Sequence, residues 1–207
     1  SSLVPNIDGG GYKMNIRYVN YHITDSGNYL YCDKHIITVN KYIELDNNLN
    51  LTLEKWFELP FDNRRYVGIE DVRIFYDVAQ NTPIFIGTGY HKNNHIGIVA
   101  GDYDYQTGHL IGKEISPDFS KSSCEKNWVY VDYKGSTHVI YDWSPLKICK
   151  IADNEQGDKV LQLTETRQMP QIFKRIRGST CGFRFSKPCG ENTPGNITIQ
   201  ITEDEIW

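Results

Sequence analysis

VRIFYD at 72–77, PIFIGTGY at 83–90, HIGIVAGD at 95–102 and HLIGKEI at 109–115 are the stretches that decide the fold class. Each is a short run rich in Val, Ile, Phe and Tyr, residues that pack well on a pleated surface. Between them stand AQNT at 79–82, HKNN at 91–94 and YDYQTG at 103–108, all turn chemistry. Four such runs in succession predict an antiparallel meander of four strands.

Working outward, the pattern returns. Runs at 127–132, 137–143, 147–152 and 159–164, with turns at 133–136 and 153–158, predict a second meander. Runs at 2–7, 12–20, 35–45 and 51–56 predict one upstream. Helical periodicity is confined to 52–59 and 168–174, each long enough for a turn or two. Glu70-Asp71 and Glu125-Lys126 open the two clearest repeats, 55 residues apart. Four-strand units recurring at this period predict an all-β fold of propeller type, with a β-sandwich as the alternative that strand spacing leaves open. A further repeat is expected at 181–186 and 196–201, and the chain ends at Trp207 as another apolar run begins. The expected organisation is a single propeller-like domain over 1–207, with about four blades and C-terminally incomplete. An unclosed ring leaves exposed strand edges, so self-association into a homo-oligomer is expected.

Composition narrows the function classes. Twenty-two Lys+Arg against 26 Asp+Glu give a net charge of −4, without the basic excess that nucleic acid or an anionic membrane surface demands. No apolar run approaches a membrane span, and the first dozen residues lack a signal-peptide pattern. Five cysteines (Cys32, Cys124, Cys149, Cys181, Cys189) are an odd set without a C-x-x-C pair, which reads as reduced thiols in a cytoplasmic setting. No His/Asp/Glu set has metal-ligand spacing, so no metal is expected.

Four clusters carry candidate chemistry. Gly68-Ile69-Glu70-Asp71-Val72-Arg73 places two acids and an arginine at the mouth of a strand. Strand alternation puts Asp71 and Arg73 on one face and Glu70 on the other. Tyr90-His91-Lys92-Asn93-Asn94 is a turn loaded with donors, and Glu125-Lys126-Asn127-Trp128 opens the next repeat. Arg175-Ile176-Arg177-Gly178-Ser179-Thr180 groups basic residues with hydroxyls near a glycine, a pattern able to cradle a small anion. Arg17 stands mid-strand, facing solvent or the axis. Each cluster also has a plain structural reading: a surface ion pair, a polar hairpin turn, a strand opening. The aromatics Tyr66, Tyr90, Trp128, Tyr141 and Trp143 suit core packing as well as sugar stacking.

The order of these motifs, from Gly68-Ile69-Glu70-Asp71-Val72-Arg73 through Glu125-Lys126-Asn127, Ile140-Tyr141 and Ser144-Pro145 to Arg177-Gly178-Ser179, resembles the inverting mannoside phosphorylases. It is equally similar to the related mannosyltransferases that share their five-bladed propeller. The opening Ser2-Leu3-Val4-Pro5 through Asn15-Ile16-Arg17-Tyr18 is similar to that family's first blade. Two departures stand out: Val72 replaces the usual proline, and His91-Lys92-Asn93 occupies a turn where a phosphate-binding arginine is expected.

The resemblance implies a glycoside phosphorylase, or a sugar-1-phosphate-dependent glycosyltransferase, acting on mannose-like glycosides. It implies Asp71 as the single general acid, with Arg17, Arg73, Tyr90, His91, Asn93, Lys126, Asn127 and Arg177 around the sugar and phosphate. Glu70 would be structural. The co-substrate is inorganic phosphate or a sugar 1-phosphate, with no other cofactor, and the partner is an oligosaccharide or sugar phosphate. A glycoside hydrolase of the same architecture would need a second carboxylate, for which Asp102, Asp104 and Asp142 are the candidates. A non-catalytic carbohydrate-binding or interaction module is the third reading.

Overall fold

A computed structural model of the chain describes residues 1–7, 9–32, 34–177 and 180–182. Its fifteen strands are β1 (Ser2–Pro5), β2 (Tyr12–Val19), β3 (His22–Ile23), β4 (Tyr29–Leu30), β5 (Ile36–Leu45), β6 (Leu51–Trp56), β7 (Tyr66–Val67), β8 (Glu70–Tyr76), β9 (Pro83–Tyr90), β10 (Ile96–Asp104), β11 (His109–Pro117), β12 (Val129–Tyr133), β13 (Ser136–Trp143), β14 (Leu146–Asp153) and β15 (Lys159–Arg167). A single 3-10 turn at Gln171–Arg175 is the only helical element among the described residues. The fold is all-β.

Strands β1, β2, β5 and β6 form an antiparallel sheet, with the β3–β4 hairpin inserted between β2 and β5 and the short β7 parallel to the start of β5. Strands β8–β11 and β12–β15 are two further antiparallel meanders. A two-residue parallel contact, Ser116 with Val160 and Pro117 with Leu161, joins these two into one eight-stranded, nearly closed, barrel-like sheet.

Side-chain alternation makes the three meanders stack. On β8, Val72 and Ile74 point one way and, with Phe85 and Tyr103, bury against Tyr42 and Phe57 of the first meander. Phe75 points the other way and, with Ile86, Ile98 and Ile115, meets Trp128, Tyr130, Val139 and Leu161 of the third. The third meander's far face (Val129, Val131, Ile140, Ile148) is covered by Met169, just before the 3-10 turn. The middle sheet is thus buried on both faces, which explains why its strands read as almost continuous apolar runs. The first meander's far face is open, with Leu3, Tyr18 and Trp56 about half exposed.

The opening strands stand side by side in chain order. The amide of Ile74 on β8 donates to Ser2 Oγ on β1 at 3.0 Å. Arg73 Nη1 on β8 donates to the Trp128 carbonyl, just before β12, at 3.4 Å. The Gly182 amide donates to the Tyr130 carbonyl on β12 at 2.8 Å.

Residues 52–59 hold no helical turn, because Leu51–Trp56 pairs along β5. Asp71 at the opening of β8 and Asn127 just before β12 are both in left-handed backbone, with φ of 50° and 67°. Asp and Asn are the side chains that tolerate that conformation best after glycine. Of the expected further repeat, only Cys181 and Gly182 belong to the described residues. Residues 183–186 and 196–201, Cys189, Gly178 and Ser179 lie outside them. The four described cysteines are free thiols, with Cys149 and Cys181 buried and pushed up to about 12 by that burial. No described helix is long and apolar enough to cross a membrane.

Candidate functional site

Antiparallel pairing gathers most of the candidate residues at one end of the sheets. Strand β8 begins there with Glu70 opposite Thr88, so β9 ends there, and the turn from Tyr90 to Ile96 follows. The Arg73–Trp128 contact brings the start of β12 to the same end, and Asp142 at the end of β13 with it.

Asp71 is held from the first meander, not from its own strand. Arg17 Nη1 on β2 donates to Asp71 Oδ1 at 2.7 Å, with the Asp71 side chain 43% exposed and Arg17 31%. An ion pair this open contributes about 0–1 kcal/mol, so its value lies in orientation. Alternation predicted Arg73 beside Asp71, but the left-handed backbone and a register shift between Glu70 and Arg73 break the alternation at that point. Arg73 is 4% exposed and reaches toward the third meander. Glu70 turns to the first meander, where Oε1 accepts from the Tyr21 hydroxyl at 3.0 Å and from Thr38 Oγ1 at 3.4 Å.

A buried polar chain fixes the loop that presents these acids. Tyr103 OH donates to Asn15 Oδ1 at 3.1 Å, Asn15 Nδ2 donates to Asn40 Oδ1 at 2.8 Å, and Asn40 Nδ2 donates to the Ile69 carbonyl at 2.8 Å. Ile69 is the residue before Glu70. Gly68 is required one step earlier: its φ is +89°, and a Cβ there would sit 2.0 Å from the Thr38 carbonyl. Replacing Asn40, 4% exposed, by alanine strands Asn15 and the Ile69 carbonyl without their partner. Asn40→Ala is expected to cost about 1–3 kcal/mol in urea denaturation, with unchanged stability excluding the polar chain as a structural element.

The other candidates divide. His91 does not face the Asp71 surface. It is 1% exposed, and its Nε2–H donates to the Ile98 carbonyl at 2.8 Å, closing its own hairpin. Burial lowers its pKa below the ordinary 6.5, so the folded chain holds it neutral. Between that lowered value and 6.5 the unfolded chain binds the extra proton, so stability rises with pH across the window. The midpoint of thermal unfolding is expected to fall as pH drops below about 6.5, and His91→Gln is expected to flatten the dependence. Identical slopes for the two proteins would exclude this role.

Tyr90 lines a pocket, its carbonyl accepting from Arg64 Nη1 at 2.6 Å. Asn93 is exposed in its turn and lines a second, polar cavity of about 310 Å³ with His95, Ser120, Lys121 and Glu125. Lys126 is exposed and Asn127 half-buried before β12. The preceding Glu125 is 6% exposed and structural, its Oε1 accepting from Ser120 Oγ at 3.1 Å and Tyr141 OH at 3.2 Å. Arg177 is exposed beyond the 3-10 turn.

Of the carboxylates a hydrolase would need, Asp102 and Asp104 lie toward the opposite end of β10 from Asp71. Asp104 there holds its own turn by accepting from the Thr107 amide. Asp142 stands at the Asp71 end but accepts from the Trp143 amide at 2.7 Å. Among the described residues no group of three or more His, Cys, Asp and Glu could hold a metal ion.

Sequence reasoning missed three contributors: Tyr21, Tyr29 and the Asn15–Asn40 chain. Their only signal was a pair of tyrosines in a polar insert and two asparagines inside strands, where a buried amide needs a partner. No family model, curated protein or solved structure matches this chain. The chemistry of the site therefore rests on its own geometry.

Proposed function

We propose that the three stacked meanders are successive blades of a five-bladed propeller, and that the chain transfers a mannose-like sugar between an oligosaccharide and phosphate. The side-by-side order of β1, β8 and β12 supports the propeller reading, since opening strands line the axis of such a fold. The open face around Leu3, Tyr18 and Trp56 supports a stack that continues on that side, by another blade or a second copy.

One observation carries the chemistry: the half-exposed Asp71 carboxyl is fixed by Arg17 at the same end of the sheets as the exposed donors Asn93 and Lys126. Inverting phosphorolysis needs one acid only. Phosphate oxygen attacks the anomeric carbon, the glycosidic C–O bond breaks, and its electron pair leaves on the departing oxygen. That oxygen takes the Asp71 proton, directly or through a sugar hydroxyl, as general acid catalysis requires. Run backward, the same step makes a glycoside from a sugar 1-phosphate and releases phosphate. Hydrolysis would need a second carboxylate to activate water; Asp102 and Asp104 are at the wrong end for it, and Asp142, at the Asp71 end, already accepts from the Trp143 and Ser144 amides.

Lys126 is assigned to phosphate. Lys126→Ala is expected to raise KM for phosphate by about 10–100-fold, the loss of one charge-assisted hydrogen bond, with kcat at saturating phosphate nearly unchanged. Steady-state phosphorolysis at varied phosphate measures this, and an unchanged KM removes Lys126 from the site. The tyrosines beside Glu70 also suit a second reading, a sugar-binding propeller without turnover. A folded protein that binds sugar but releases no phosphate would establish that reading.

A further inference from the structure

The β3–β4 hairpin is the one element that interrupts the four-strand pattern of the first meander, and it leans over the Asp71 end. It carries Tyr29 to the rim of a pocket of about 50 Å³, open to solvent, whose other walls include Tyr66, Tyr90, Glu70 and Thr88. Tyr66 and Tyr90 lie 5.5 Å apart with their rings tilted by 39°. Tyr21 meets Tyr29 edge-on at 5.0 Å and ties the hairpin to Glu70 through its hydroxyl. We propose that this tyrosine-walled pocket is a binding subsite for an uncharged sugar ring, distinct from the carboxyl that does the chemistry.

The surrounding charges select the ligand class. An anion here faces the Glu70 carboxylate on the pocket wall. A cation finds that carboxylate already engaged by the Tyr21 and Thr38 hydroxyls, and meets the Arg64 guanidinium, ion-paired to Asp62 and 5.8 Å from the Tyr90 ring centre. A neutral polyhydroxylated ring meets neither repulsion, and its C–H face stacks on phenol rings while its hydroxyls find donors and acceptors on the walls. Burial first, then the Glu70 charge, raises the Tyr29 and Tyr21 hydroxyls above their ordinary range, so both remain protonated donors at any working pH. A space of 50 Å³ takes a hydroxymethyl group or one edge of the ring, with the rest lying across the mouth.

The subsite deepens the proposed function but is tested by binding alone. Methyl α-mannoside is titrated into the whole chain, followed by saturation-transfer NMR, with circular dichroism checking that each variant is folded. Saturable binding is expected, weakened about tenfold or more in Tyr29→Ala and in Tyr66→Ala. It is expected weakened less in Tyr29→Phe, which keeps the ring and loses the hydroxyl donor, and unchanged in Trp56→Ala on the open far face. No saturable binding to the folded chain, equal binding by folded Tyr29→Ala, or displacement of the sugar by tetramethylammonium or phosphate overturns the proposal. Tyr29-dependent binding without phosphate release would leave the subsite standing and remove the transfer reaction. Phosphate release with an unaltered sugar KM in Tyr29→Ala would do the reverse.

Discussion

Asp71→Asn lowers kcat by about 10²–10⁴-fold and leaves sugar binding within a factor of about two, if Asp71 carries the proton to the leaving oxygen. The amide is nearly isosteric and can still accept from Arg17, so the loop geometry at the mouth of β8 is retained. What it cannot do is deliver a proton. Binding and catalysis must therefore separate: kcat and kcat/KM fall together, with KM nearly constant. Loss of binding along with rate would make Asp71 a substrate anchor. A wild-type rate would place the acid elsewhere. Glu70→Gln serves as the control, because Glu70 is engaged by Tyr21 and Thr38 and is expected to act on the pocket rather than on proton transfer.

Trp128→Ala removes the largest fully buried side chain from the interface between the second and third meanders. Trp128 is 1% exposed, and its ring lies 5.4 Å from that of Tyr141. Truncating a buried tryptophan costs about 3–5 kcal/mol, combining lost apolar burial with the cavity left behind. That is a large part of the ~5–15 kcal/mol that holds an ordinary domain together. The variant is expected to shift the urea midpoint strongly, or to be recovered only in aggregated form. Because the stack is continuous, the loss is also expected to loosen Arg73, which bonds the Trp128 carbonyl. A loss below about 1 kcal/mol would mean that the two meanders are not packed through this face.

Much of the architecture was legible because it depends on short-range chemistry. Turn residues at 79–82, 91–94, 103–108, 133–136 and 153–158, and the runs rich in Val, Ile, Phe and Tyr between them, placed eight strands close to their observed bounds. The near-continuous apolar runs of β8–β10 also carry the signal of a sheet covered on both faces, which the reading by four-strand units did not use. What escaped was nonlocal or broke alternation. The left-handed backbone at Asp71 breaks the strand alternation there. The same backbone turn sent Asp71 to Arg17, 54 residues away, and Arg73 to Trp128, contacts that no local pattern encodes. The β3–β4 hairpin has only two-residue strands, too short for any periodicity to register. His91 looked like a surface donor because its turn is polar, yet the ring folds inward to satisfy the Ile98 carbonyl.

The central claim is that one carboxyl, held by Arg17, performs sugar transfer to or from phosphate. Its most direct test is phosphate release from mannose 1-phosphate, with glucose 1-phosphate as control, across a panel of mono- and oligosaccharide acceptors. The expected result is release that depends on the acceptor, prefers the mannose donor and vanishes in Asp71→Asn. No release from a preparation with cooperative thermal unfolding, or release that persists undiminished in Asp71→Asn, contradicts it.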